Sequence, residues 1–117
     1  MKIAIGGMQK NEMERAIKAA CPEVEVINTT DMGAVPLLKS GAADYYFGAC
    51  ESGGGAAISI LIGMMGYAKC CTVCKNGGQP NKAEIEKFVA EGKICFGMTV
   101  SNITGTVPVL LEVLTSK

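Results

Sequence analysis

A thiol, a carboxylate and a hydroxyl stand side by side at Cys50, Glu51 and Ser52, directly before three glycines. An apolar run ends at the cysteine, and a long uncharged stretch follows the glycines. A cysteine beside a helix N-terminus can have a lowered pKa and act as a nucleophile or base. A carboxylate can transfer protons. We therefore take Cys50 and Glu51 as the candidate catalytic residues.

The glycines open the third predicted helix. Helix N-termini expose unpaired N–H groups and carry a partial positive charge, and glycine lets a ligand approach that backbone closely. Phosphate, a carboxylate or an enediolate would suit such a place. The pattern is neither the dinucleotide-binding fingerprint nor a Walker loop, so no cofactor is expected. We predict a site for a small anionic metabolite, formed by Ser52, Gly53, Gly54 and Gly55.

Each of these residues also has a purely structural interpretation. Cys50 could be a small buried residue at a strand end. Glu51 could simply favour the helix N-terminus electrostatically, and Ser52 could be the helix N-cap. The glycines could form a tight strand-to-helix turn. The sequence leaves both interpretations open.

The remaining cysteines include a C-x-x-C pair at Cys71 and Cys74, preceded by Cys70. Residues three apart on an extended strand point to opposite faces and lie too far apart for a disulfide, unless a turn at Val73 brings them together. A zinc site needs four ligands, and the chain has no histidine and no second C-x-x-C. We expect no metal. We interpret the other two cysteines, Cys21 and Cys95, as packing residues.

The charge balance excludes several classes of partner. Eleven basic residues match eleven acidic ones, and Arg15 is the only arginine. Such a chain lacks the basic surface that nucleic acids or anionic membranes require. The opening MKIAIGGMQKNE lacks the long apolar core of a secretory signal, and the uncharged stretch 52–68 is too short and glycine-rich to span a membrane. We predict a soluble cytoplasmic protein with reduced thiols.

Five apolar runs alternate with five segments of helical periodicity over residues 1–117. Alternation of this kind predicts one α/β domain, a three-layer Rossmann-like fold with a parallel sheet. Asn11 and Glu14 form a plausible capping box for the first helix, and Asn81 caps the fourth. Ligands bind beyond the carboxyl ends of such strands, where Cys50 would lie. The predicted strands are 2–6, 24–27, 43–49, 67–72 and 94–96; the predicted helices are 11–20, 30–40, 53–64, 81–92 and 103–114.

The third predicted helix has almost no polar face beyond Ser59. A helix that is apolar all round must be buried on every side, and 117 residues give little room for that. We therefore predict a homo-oligomer. The apolar positions are Ile58, Ile60, Leu61, Ile62, Met64 and Met65.

The centre of the chain resembles the ribose-5-phosphate isomerase B and galactose-6-phosphate isomerase family. The resemblance lies in ADYYFGACESGGGAAISILIGMMGYAK, with support from the opening MKIAIG and from KICFG. It implies that Cys50 is the base that moves a proton between sugar carbons and that 53–55 hold the enediolate. Three features depart from that family: Glu51 replaces a glycine, Gly7-Met8 replaces an Asp-His pair, and the phosphate-binding histidines and arginines are missing.

The chain is similar nearly end to end to the YhfU family of uncharacterised bacterial proteins. The similarity runs through DYYFGACESGGGAA, a GY turn and EGKICFGMTVSNI. It implies a bacterial cytosolic protein, commonly encoded beside a multi-spanning membrane transporter and metabolic enzymes. We therefore predict a protein that binds a small anionic metabolite, phosphorylated or not, either without catalysis or as an accessory to a transporter or metabolic pathway. The alternative is an isomerase-like enzyme that uses Cys50 or Glu51 for proton transfer.

Overall fold

A computed structural model describes residues 1–51 and 55–116 of the chain. Strands and helices alternate throughout these residues, as the sequence predicts. The strands are β1 (Lys2–Gly7), β2 (Glu25–Asn28), β3 (Tyr45–Cys50), β4 (Cys70–Cys74) and β5 (Cys95–Thr99). The helices are α1 (Lys10–Ala20), α2 (Asp31–Ser40), α3 (Gly55–Met65), α4 (Lys82–Ala90) and α5 (Ile103–Thr115).

The strands form one parallel sheet in the order β2-β1-β3-β5-β4. Helices α1, α4 and α5 cover one face of this sheet, and α2 and α3 cover the other. The connections β1-α1-β2 and β4-α4-β5 move towards the β2 edge and pass over the first face. The connections β2-α2-β3 and β3-α3-β4 move towards the β4 edge and pass over the second face, as a uniform crossover hand requires. The predicted three-layer, Rossmann-like α/β fold is confirmed.

The central strands are apolar because both of their faces are buried. Every residue of β5 and all but the first of β3 are buried. On the face covered by α1, α4 and α5, the rings of Phe47 and Phe96 pack edge to face with centroids 5.9 Å apart. On the other face, the fully buried Tyr46 and Leu61 lie in the second apolar cluster.

Among the element starts that differ from the prediction, two have a clear local cause. A 3-10 turn at Tyr67–Lys69 occupies the residues expected to begin the fourth strand, because Gly66 turns the chain with φ 96°. The predicted capping box at Asn11 is wrong. Helix α1 begins earlier, at Lys10, and its N-cap is Gln9 in the left-handed region, with no capping side chain.

Side-chain caps begin two other helices, and the one at Asn81 is as predicted. Thr30 is the N-cap of α2, and its hydroxyl accepts a hydrogen bond from the Gly33 N–H at 2.9 Å. Pro36 lies inside that helix, and Gly41 ends it with φ 81°. Asn81 caps α4 through a 3.0 Å bond from the Glu84 N–H.

Helix α3 is only partly covered within one chain. Ile58 and Leu61 are buried, but Ile60 and Ile62 are partly exposed and Met64 is 53% exposed. The predicted burial of this helix on every side is therefore not met by one chain.

Within the described residues, no helix is long and apolar enough to cross a membrane.

The carboxyl ends of β1 and β3 approach each other so closely that only glycine fits. A Cβ on Gly7 would stand 2.5 Å from the Ala49 carbonyl oxygen, and Gly7 also has φ +78°. A Cβ on Gly6 would stand 2.6 Å from the Tyr46 hydroxyl and 2.9 Å from the Asp31 nitrogen. The strand pair and the start of α2 therefore meet backbone to backbone at this end of the sheet.

We predict that Gly7→Ala lowers the free energy of unfolding by about 3 kcal/mol, because it adds a steric clash to backbone strain. Gly41→Ala is the matched control: its φ is also positive, at +81°, but a Cβ there meets nothing within 4 Å. The control should cost only about 1 kcal/mol. Urea unfolding measures both, and equal losses would contradict the close approach.

Candidate functional site

The chain order creates a crevice at the carboxyl ends of β1 and β3. These strands are neighbours, but the chain leaves β1 towards β2 on one side and leaves β3 towards β4 on the other. In open parallel sheets, ligands bind at such a switch point. The two exits are tied together by the Met8 N–H, which donates to the Ala49 carbonyl at 2.8 Å.

The candidate catalytic residues lie at this crevice. Cys50 ends β3, and its side chain is 9% exposed among the apolar residues beneath α2 and α3. Glu51 follows directly and is exposed. The first three predicted anion-site residues, 52–54, lie outside the described residues, and Gly55 is the first residue of α3. The structure thus places the predicted pair together at the carboxyl edge.

The N-terminus of α1 lies at the same crevice, since it follows β1 after one short turn. Its N-cap, Gln9, has φ 55° and ψ 44° and gives no side-chain cap. The first-turn N–H groups of this helix are therefore available to water or a ligand. The Lys10 ammonium donates to the Thr29 carbonyl at 2.8 Å, which fixes a positive charge beside the helix start.

A hydroxyl pair after β5 completes this edge of the sheet. Thr99 is fully buried and lies beside Cys50 in the strand register. Its hydroxyl donates to the Glu51 carbonyl at 3.2 Å and is 2.9 Å from the Ser101 hydroxyl. Sequence reasoning missed both residues because it ended the fifth strand at residue 96. A strand extended to Thr99 would have placed them at the carboxyl edge.

The C-x-x-C pair lies on the edge strand β4, away from the crevice. A bulge at Val73 interrupts the register, and both Cys71 and Cys74 face the same apolar cluster. The Asn102 amide points to the Cys74 sulfur at 3.7 Å. Burial raises the pKa of the Cys71 thiol to about 12, so this thiol stays protonated near neutral pH. Among the described residues, no cluster of histidine, cysteine and acidic side chains could hold a metal ion.

The two cysteines interpreted as packing residues behave differently. Cys95 is fully buried, as predicted, and burial raises its pKa. Cys21 is only partly buried and packs at the margin of the core. Its thiol donates to a carboxylate oxygen of Glu23 at 3.3 Å, and this bond raises the pKa of Cys21.

One buried hydroxyl beneath the crevice lacks a partner. The Tyr46 side chain is fully buried, and its hydroxyl has no hydrogen-bond partner among the described residues. It faces the backbone of Gly6 at the end of β1. Burial raises the pKa of Tyr46 well above its usual range, so this hydroxyl remains neutral.

The fold and the crevice define a Rossmann-like α/β protein with a single parallel sheet. The chain belongs to the family described as protein of unknown function DUF2620, whose model matches residues 1–114. It is 41% identical over 112 residues to the uncharacterized protein YhfU of Escherichia coli strain K12, covering 95% of this chain and 96% of that protein. The YhfU proteins of E. coli O6:H1 and Shigella flexneri match equally well.

No solved structure matches the chain. The similarity to the YhfU family that the sequence indicates is confirmed, and these relatives are bacterial. The more distant similarity to ribose-5-phosphate isomerase B stays a prediction.

We predict that Thr99→Val lowers the free energy of unfolding by about 1–2 kcal/mol, because it removes the buried hydroxyl that binds Glu51. Thr106→Val is the matched control. Thr106 is equally buried, but its hydroxyl has no partner among the described residues. Removing it should be neutral or slightly stabilising. Chemical denaturation compares the two, and a Thr106→Val loss as large as that of Thr99→Val would refute this assignment.

Proposed function

We propose that the protein binds a small anionic metabolite, phosphorylated or not, in the crevice between the carboxyl ends of β1 and β3. It does so without catalysis, as an accessory to a transporter or a metabolic pathway. The ligand's anionic group is held by the N–H groups of residues 52–55, and Cys50 lies at the floor of the site. The observation that carries this proposal is the switch point itself, since it brings the start of α3 beside the start of α1.

The local electrostatics support an anionic ligand. Two helix N-termini contribute partial positive charge at one crevice. The α1 terminus has no capping side chain, and the Lys10 ammonium stands next to it. Glu51 opposes this potential with an exposed carboxylate. Binding of the ligand therefore depends on backbone N–H groups rather than on a cluster of cationic side chains.

The alternative function is an isomerase-like activity that moves a proton between carbon atoms of a bound sugar phosphate. The adjacency of a buried thiol and an exposed carboxylate, Cys50 and Glu51, favours this alternative. In that mechanism one of the two groups accepts the proton, and the backbone N–H groups stabilise the enediolate.

We expect inorganic phosphate to slow the alkylation of Cys50 by about fivefold or more at saturation, because the anion covers the path to the thiol. Cys21, which lies away from the crevice, is the control and should react at an unchanged rate. Cys71 should stay unreactive at pH 8, since its pKa is about 12. Peptide mass spectrometry gives the rate of each cysteine. Equal Cys50 rates with and without phosphate would argue against the anion site.

Glu51→Gln separates the two functions. If the protein only binds, removing the negative charge should tighten phosphate binding by about threefold to tenfold, as measured by calorimetry. If Glu51 transfers the proton, the variant should instead lose exchange of a sugar-phosphate C–H proton with deuterated water, followed by NMR. Glu91→Gln, which also neutralises an exposed carboxylate, is the control and should leave both measurements unchanged.

A further inference from the structure

The edge strand β4 lies open in a cleft of about 550 Å³. The floor of the cleft is the strand itself, and its walls carry Tyr67, Glu84, Phe88 and Lys93. The Lys69 carbonyl points to β5, where it accepts from the Ile94 N–H. Because strand residues alternate, the N–H and C=O groups of Thr72 point away from β5 into the cleft, whereas the Cys70 N–H donates to the Tyr67 carbonyl. The cleft thus presents the backbone groups of Thr72, which β5 does not pair.

The two edges of the sheet are protected unequally. The other edge strand, β2, carries a charged residue, Glu25. Strand β4 reads CCTVC, with no charge and no proline. Charges and prolines are the usual devices that stop edge strands from pairing with other chains. Strand β4 retains only its bulge, so it is the edge that is suited to pairing.

We propose that a second copy of this chain occupies the cleft, with the two β4 strands antiparallel about a two-fold axis at Thr72. Thr72 then pairs with the partner's Thr72. The outward N–H and C=O groups of Thr72 make this central pair a hydrogen-bonded one. The result is one ten-stranded sheet across two chains, an interface that the proposed ligand site does not require.

The charges along the cleft are self-complementary under this symmetry. The Lys93 ammonium lies at the start of β4, where it donates to the Tyr67 carbonyl at 3.3 Å and sits 5.2 Å from the Tyr67 ring centroid. Glu84 lies in the first turn of α4, which follows the end of β4. Antiparallel pairing brings the start of one strand to the end of the other. Lys93 therefore faces the partner's Glu84, twice in each dimer.

The same symmetry covers the apolar residues that one chain leaves exposed. Helix α3 lies over β4 and β5, on the face opposite α4. A two-fold axis perpendicular to the sheet places α3 beside the partner's α3. Met64 is 53% exposed and Tyr67 is 75% exposed at this end of the helix. Burying them gives the strand pair the apolar contact that hydrogen bonds alone do not supply.

Sedimentation velocity between about 1 and 100 µM tests this interface. The wild-type chain should sediment at twice its 12.2 kDa mass. Thr72→Pro should sediment as a monomer with an unchanged circular dichroism spectrum, because the lost N–H points out of the sheet. Asn28→Pro is the matched control on β2. The N–H groups of Glu25 and Thr29 donate towards β1. Because strand residues alternate, the Asn28 N–H also points outwards. It should remain a dimer.

A charge exchange tests the pairing independently of proline. Lys93→Glu alone and Glu84→Lys alone should each weaken the dimer by about tenfold, and the double variant should recover to within about threefold of wild type. A monomeric wild type at 100 µM would overturn the proposal, whether or not phosphate binds. A dimer that survives Thr72→Pro, or a double variant weaker than both single variants, would place the interface elsewhere and also overturn it.

Discussion

The close approach of β1 to β3 at their carboxyl ends is the constraint on which the rest of the structure depends. Glycine at positions 6 and 7 lets the backbone of β1 meet Ala49 on one side and the start of α2 on the other. The Met8 N–H then reaches the Ala49 carbonyl. A side chain at either glycine would separate these elements. The crevice above them therefore owes its shape to backbone contacts rather than to large side chains.

The need for small residues in the buried sheet also explains the use of cysteine. The central strands are buried on both faces, and the chain has only six aromatic residues to fill its core. Cysteine serves there as a small apolar residue. Cys70 and Cys95 are adjacent in the register of β4 and β5, and burial raises the pKa of each. Burial therefore keeps these two thiols protonated.

The sequence was sufficient to predict the fold but not the details of the crevice. Alternating apolar runs and helical periodicity determine the layers, and the cap at Asn81 follows from local hydrogen bonding. The left-handed Gln9 could not be predicted, because a non-glycine residue adopts that conformation only when its surroundings impose it. The role of Thr99 could not be predicted either, because its bond to Glu51 joins two residues that are distant in sequence. Local patterns carry no information on such contacts.

Helix α3 connects the two surfaces to which we assign functions. It begins at Gly55 beside the crevice and ends at Met65, close to the open edge of β4. Its 11 residues span about 16 Å, and no charged side chain anchors either end turn. Its position therefore depends on apolar packing alone, which is incomplete in a single chain. In the proposed dimer, the partner's α3 completes that packing. The absence of charge from this helix then follows from its burial between the two chains.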